Sequence, residues 1–219
     1  MSNKTALVTG SAKGMGRCIA NHLAKKGYDM VGIDVSEEML ERAIEKREES
    51  GLPILYLLQD MREFELYGTV KAVVSVCDSL NYLLEDEDVI ETFRLVNNYL
   101  DPEGIFIFDF NTVHKYRDVI GDATIAENRD ECSFIWENFY HEEERINEYD
   151  VTFFVKEGEL FRKFEETHYQ KGYTAEEMKA FLKEAGLEFV SMCDSDTQKD
   201  VTDDTERICM IAKECRKSR

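Results

Sequence analysis

The chain has 219 residues, 43% hydrophobic and 33% charged, which suits one α/β domain with a modest insertion and excludes a disordered chain. A formal charge of −19 disfavours nucleic acid, because a polyanion would be repelled before contact. No apolar run approaches the roughly 20 residues that cross a bilayer, so no membrane partner is expected.

No signal peptide is visible, which makes the cytoplasm the expected location. The six cysteines are scattered, without a Cys-x-x-Cys pair, so reduced thiols and no metal site are expected. A small-molecule partner is the remaining expectation.

In chain order, residues 4–9 form a short apolar run that predicts a buried first strand. Residues 15–26 carry Cys18, Ile19, His22 and Leu23 at helical spacing, with Gly27 placed as a C-terminal cap. A second strand is predicted at 29–35. Ser36 then caps a helix through Met39, Leu40, Ala43 and Ile44, with Glu37 and Glu38 where the helix dipole favours acids. Strands at 54–59 and 70–76, a helix at 86–100 and a strand at 104–110 continue the alternation, which predicts a parallel sheet.

Between 112 and 173 the helices give way to strand signals at 124–126, 133–141, 145–155 and 159–169, with Glu157-Gly158 as a hairpin turn. A capping box at Thr174–Glu177 opens a helix to Ala185, and strands at 187–193 and 208–213 follow. A basic tail from Glu214 is expected to fray. The predicted fold is α/β: a Rossmann-like, doubly wound, mostly parallel sheet with an antiparallel β lid inserted after the fifth strand. Residues 1–112 and 174–219 make the nucleotide-binding domain and 113–173 the lid.

The junction of the first strand and helix reads Thr9-Gly10-Ser11-Ala12-Lys13-Gly14-Met15-Gly16. Gly10 permits a tight turn, Gly14 a close approach to phosphate, and Gly16 close helix–strand contact, while the helix N-terminus offers free amides. This Gly-x-x-x-Gly-x-Gly spacing resembles the pyrophosphate loop of short-chain dehydrogenases. The resemblance implies NAD, with Gly10, Ser11, Lys13, Gly14, Met15 and Gly16 as contacts.

Asp34, with Val35, ends the second strand, where a carboxylate can accept hydrogen bonds from both hydroxyls of an adenosine ribose; it would also oppose the 2′-phosphate of NADP. Capping of the next helix is the alternative role. Asp60 and Met61 after the third strand are candidates for reading adenine. Tyr67 and Lys71 have the spacing of a dehydrogenase proton-transfer pair but precede the fourth strand rather than lying on a helix, so hydride-transfer machinery is absent.

Downstream, Ala24–Leu40, Gln59–Glu63, Cys77-Asp78-Ser79 through Leu83, Leu100–Asp109 and Tyr173–Leu187 follow the motif order of class I S-adenosylmethionine-dependent methyltransferases. This resemblance covers residues 23–213 and implies S-adenosylmethionine as cofactor, with Cys77, Asp78 and Ser79 beside it. Loop and body therefore favour different cofactors.

The reading is a hybrid, engineered or natural, whose lengthened loop switches binding toward NAD as first choice, with weak or no catalysis. The alternative is a functional S-adenosylmethionine-dependent methyltransferase acting on a small molecule. Trp136, Tyr140, His168 and Tyr169 of the aromatic lid are candidate substrate contacts, His168 a candidate base, and no catalytic residue is assigned.

Overall fold

In the computed structural model, which describes residues 4–11 and 14–217, the apolar runs become strands of one central sheet. β1 (Thr5–Thr9), α1 (Gly14–Lys25), β2 (Asp29–Asp34), α2 (Glu37–Ser50), β3 (Ile54–Leu58), β4 (Val70–Ser75), α3 (Asp86–Tyr99) and β5 (Leu100–Asn111) alternate along the chain. Four lid strands follow: β6 (Thr124–Asn128), β7 (Cys132–His141), β8 (Ile146–Glu157) and β9 (Leu160–Lys171). The chain then returns through α4 (Ala175–Glu184), β10 (Leu187–Asp194) and β11 (Arg207–Glu214).

The seven-stranded sheet runs β10-β11-β5-β4-β1-β2-β3, and the lid is a separate four-stranded sheet, β6-β7-β8-β9. β1 pairs in parallel with both β2 and β4, while β11 lies antiparallel to β5 and β10. The fold is thus α/β and Rossmann-like with an antiparallel sheet added. Strand order reverses between β1 and β4, and such a reversal opens a crevice at the carboxyl ends of the strands.

The core beneath α3 is aromatic. Phe93, Phe106, Phe108 and Phe110 are fully buried, with the Phe106 and Phe108 rings 4.6 Å apart. α1 departs from the expected face: Gly16, Ala20 and Ala24 are its buried residues, while Cys18 and His22 are exposed. Small side chains at every fourth position let this helix lie close to the sheet.

β5 begins at Leu100 rather than near Gly104, because a register irregularity absorbs Asp101–Gly104, with Glu103 at φ 59. Two short elements had no signal in the sequence: a 3-10 turn at Ser79–Tyr82 and a π-helical turn at Lys115–Ile120. The tail does not fray up to Lys217, whose Nζ donates to the carbonyls of Asn97, Asn98 and Leu100. Among the described residues no helix is long and apolar enough to cross a membrane.

Candidate functional site

A cleft of about 410 Å³ opens at the carboxyl ends of β1, β2 and β3, and Gly10, Asp34, Val35, Asp60, Met61, Ser79 and Tyr82 lie on its walls. Asp34 Oδ1 accepts a hydrogen bond from the Ser36 amide (3.0 Å), and Ser36 Oγ in turn accepts from the Met39 amide (3.3 Å). Asp34 therefore shapes the entry to α2 while still facing the cleft. The Asp60 carboxylate is gripped by Arg62, whose Nη2 lies 2.7 Å from Oδ2 and whose amide lies 2.8 Å from Oδ1. That contact holds Asp60 below the usual carboxylate range. Arg62 also reaches Asp88, at 3.3 Å.

The glycine loop has a structural explanation. A Cβ on Gly16 would meet the Gly10 carbonyl oxygen at 2.5 Å, so this glycine serves the contact between α1 and β1. Gly14 is left-handed at φ +58 with open space around it, and Met15 is exposed. Ser11 is fully buried, with its Oγ packed over Gly32 of β2 rather than presented to the cleft. Lys13 lies outside the described residues.

Beyond β4 the backbone turns through two consecutive left-handed residues, Cys77 (φ 65) and Asp78 (φ 54). Asp109, 5% exposed on β5, accepts the Asp78 amide at 3.0 Å and also the amide of Cys77. Burial pushes the Asp109 carboxyl above its usual range, against the pull of those two amides. Burial also raises the Cys77 thiol, which accepts from the Met15 amide at the start of α1. Ser79 Oγ donates to the Val76 carbonyl at 3.1 Å and lies beside Gly10. Cys77 and Ser79 of this turn are thus brought against the glycine loop.

A polar chain runs from this turn to the lid. Gln170 Nε2 donates to Asp78 Oδ2 (2.8 Å), Tyr116 Oη donates to Gln170 Oε1 (2.8 Å), and Asn111 Nδ2 donates to Tyr116 Oη (2.8 Å). Beside it, Tyr82 Oη is 3.1 Å from both Tyr149 Oη and His168 Nδ1, and His168 Nε2 is 3.3 Å from Glu166. The Trp136 ring lies 5.4 Å from that of Tyr149, which stacks on His168 at 4.9 Å.

Strand alternation places Tyr140 on the same lid face as Trp136, with its hydroxyl buried and unpartnered. Tyr169 is the departure: it points to the opposite face and donates to Glu148 at 3.2 Å, because its neighbour His168 takes the inward position. Gln170 and Arg207, the latter 3.7 Å from Asp78, escaped the sequence reading, and Tyr82, Asp109 and Tyr149 stood in its motifs and lid without a role. Their partners lie tens of residues away, and no local pattern marks them.

The charge of the cleft separates the two cofactors. Asp34 and Asp60 line it, Asp78 adjoins it, and Arg62, the basic residue among the described lining, is held by carboxylates. Among the described lining residues a pyrophosphate would face these acids with no cation left free, whereas a sulfonium is attracted by them.

The comparisons with known proteins agree. A family model described as a methyltransferase domain matches residues 11–104 and so includes most of the glycine loop. "Putative methyltransferase YqeM" of Bacillus subtilis (strain 168) is 40% identical over 196 residues, 89% of this chain and 79% of that protein. A solved S-adenosylmethionine-dependent methyltransferase from Clostridium acetobutylicum ATCC 824 has a TM-score of 0.90 at 28% identity, covering 97% of this chain and 84% of that one. The reductase FabG of Staphylococcus aureus (strain Mu50 / ATCC 700699) is 33% identical over only 88 residues, 39% of this chain.

NAD as first cofactor, a switched cofactor, weak catalysis and a hybrid origin are therefore corrected. The glycine spacing that suggested them reflects how α1 packs on β1, and the likeness to methyltransferases runs nearly the whole chain. The chain belongs to the class I S-adenosylmethionine-dependent methyltransferase family.

Proposed function

We propose that this protein transfers a methyl group from S-adenosylmethionine to a small-molecule acceptor held beneath the lid. The observation that carries the reading is the acidic cleft at the switch point of the sheet, with Asp34 at the tip of β2. Asp34 and the Asp60-Met61 turn would hold the adenosine end. The turn at Cys77–Ser79, fastened by Asp109, would lie beside the amino-acid end.

When bound, the cofactor supplies an electrophilic methyl on a positively charged sulfur. The protein's part is alignment, worth up to about 7–11 kcal/mol of the barrier, together with exclusion of water by the lid. An acceptor amine or hydroxyl that gains a methyl must lose a proton. Tyr82 stands on the cleft wall with His168 and Glu166 behind it, a path along which that proton can leave.

Calorimetric titration of ligand-free protein with S-adenosylmethionine and with NAD tests the cofactor. Saturable heat with the first and none with the second is expected; the reverse pattern would overturn the reading. Transfer of a labelled methyl group to a panel of small amines and phenols tests the acceptor class.

A further inference from the structure

α1 packs over β1 and β2 and α2 over β2 and β3, and a second hollow of about 270 Å³ lies between the two helices. Arg17 and Asn21 enter it from α1, Lys46, Arg47 and Glu49 from α2, and Tyr56 from β3. Helical spacing explains the gathering: Arg17 and Asn21 are four apart on α1, and Lys46 and Arg47 stand three and four residues after Ala43, which also lines the hollow from α2. None of these residues lines the cofactor cleft.

The hollow is unusual in its charge. The sequence holds 46 acids against 27 bases, and among the described residues an arginine without a carboxylate is the exception: only Arg17, Arg47 and Arg216 make no ion pair. Arg42, Arg62, Arg94, Arg117 and Arg145 all make ion pairs. Among the described residues, Arg17, Lys46 and Arg47 make none, although they converge on one space with Glu49 on its wall.

Arg17 Nη1 is buried with no hydrogen-bond partner, and Arg47 spends one nitrogen on a long contact of 3.4 Å to the Ile54 carbonyl. Ser11 Oγ, also buried and unpartnered, shares the space over Gly32 with the Tyr56 ring. Buried donors without acceptors cost free energy, and like charges held together add to it. An anion entering the hollow would remove both penalties.

We propose that this hollow binds the phosphoryl group of a small anion, with Arg17, Lys46 and Arg47 as its donors. Guanidinium forks match tetrahedral phosphate oxygens in geometry as well as charge, and Lys46 adds a mobile point charge. Tyr56 and Asn21 supply neutral polar contacts on the wall. The site is separate from methyl transfer and stands whether or not that activity is found.

Calorimetric titration of the wild-type chain with inorganic phosphate and with ribose 5-phosphate, at ionic strength fixed by sodium chloride, tests the proposal. Saturable binding is expected, weakened roughly tenfold or more in both Arg17→Met and the double variant K46Q/R47Q. Tighter binding of ribose 5-phosphate would assign the hollow to a phosphorylated metabolite, and equal affinities to free phosphate. Absence of saturable binding overturns the proposal. So does binding unchanged in K46Q/R47Q, which would put the anion at the N-terminus of α1 instead. The double variant gives up only the long Arg47 contact to the Ile54 carbonyl, so it remains informative if Arg17→Met fails to fold.

Discussion

The first turn of α1 rests on the end of β1: a Cβ at Gly16 would stand 2.5 Å from the carbonyl oxygen of Gly10. Gly10 lines the cleft at the ends of β1, β2 and β3, so the contact that seats the helix also sets the cleft wall. A glycine that reads in sequence as part of a phosphate loop is here a packing residue.

Gly16→Ala is therefore expected to push α1 away from β1. Overpacking of this kind costs about 1–3 kcal/mol. A lower urea midpoint with unchanged m-value, together with weaker S-adenosylmethionine binding, is the expected result; wild-type stability would refute the packing argument.

Asp34 has two duties that substitution separates. Asp34→Asn keeps an oxygen for the Ser36 amide but loses the charge that, on the proposed reading, would meet the ribose hydroxyls. Hydrogen bonds to a charged group contribute about 1.5–3 kcal/mol, so S-adenosylmethionine affinity should fall by tenfold or more, with little change in melting temperature. Calorimetry and a thermal melt of the same sample distinguish the two effects.

Asp109 holds the left-handed turn at Cys77-Asp78 through two backbone amides. Asp109→Asn keeps an acceptor and removes a buried charge, so stability at neutral pH should be preserved. Asp109→Ala leaves both amides unsatisfied, at about 1–3 kcal/mol each, and should loosen the cofactor site as well. Equal behaviour of the two variants in chemical denaturation would contradict this role.

Tyr82→Phe and His168→Gln test the proton path. Loss of a general base lowers turnover by about 10²–10⁴-fold, whereas the cofactor dissociation constant should stay within about twofold. Steady-state kinetics on an acceptor from the methyl-transfer panel, with calorimetry on the same variants, provides both readouts.

Burial pushes the phenols of Tyr116 and Tyr173 well above their usual value. Tyr116 is held between Asn111 and Gln170, and Tyr173 donates to the Leu83 carbonyl. A raised folded pKa means stability is fully present below the unfolded value near pH 10 and is lost above it. Each tyrosine should contribute a loss of about 1.4 kcal/mol per pH unit in that range. Urea unfolding between pH 9 and pH 11 would show the decline, and Tyr116→Phe should lessen it.

Much of the fold was readable before any coordinates. The alternation from β1 to β5, the Ser36 cap, the Thr174–Glu177 capping box and the run of lid strands all have local signatures. The errors fell where a distant partner overrides local pattern. Lys217 looks like a fraying basic tail until three carbonyls near the end of α3 receive its amine. Leu100 looks like the end of a helix and Asp101–Glu103 like a loop until the shifted pairing with β4 draws them into β5.

The chain's own periodicity determined its layers: which segments are strands, which are helices, and that a β lid interrupts the sheet. Periodicity reports burial along one segment, and burial is mostly local. The character of the cleft depends instead on charges from separate segments. Asp34 and Asp60 meet there, with Arg62 already engaged, and only the folded sheet brings them together. The same holds for Tyr82, Tyr149 and His168, which span 86 positions in sequence yet lie within hydrogen-bond reach. The glycine loop suggested a pyrophosphate because spacing carries no charge; the tertiary structure set Asp34 and Asp60 in the cleft that Gly10 lines.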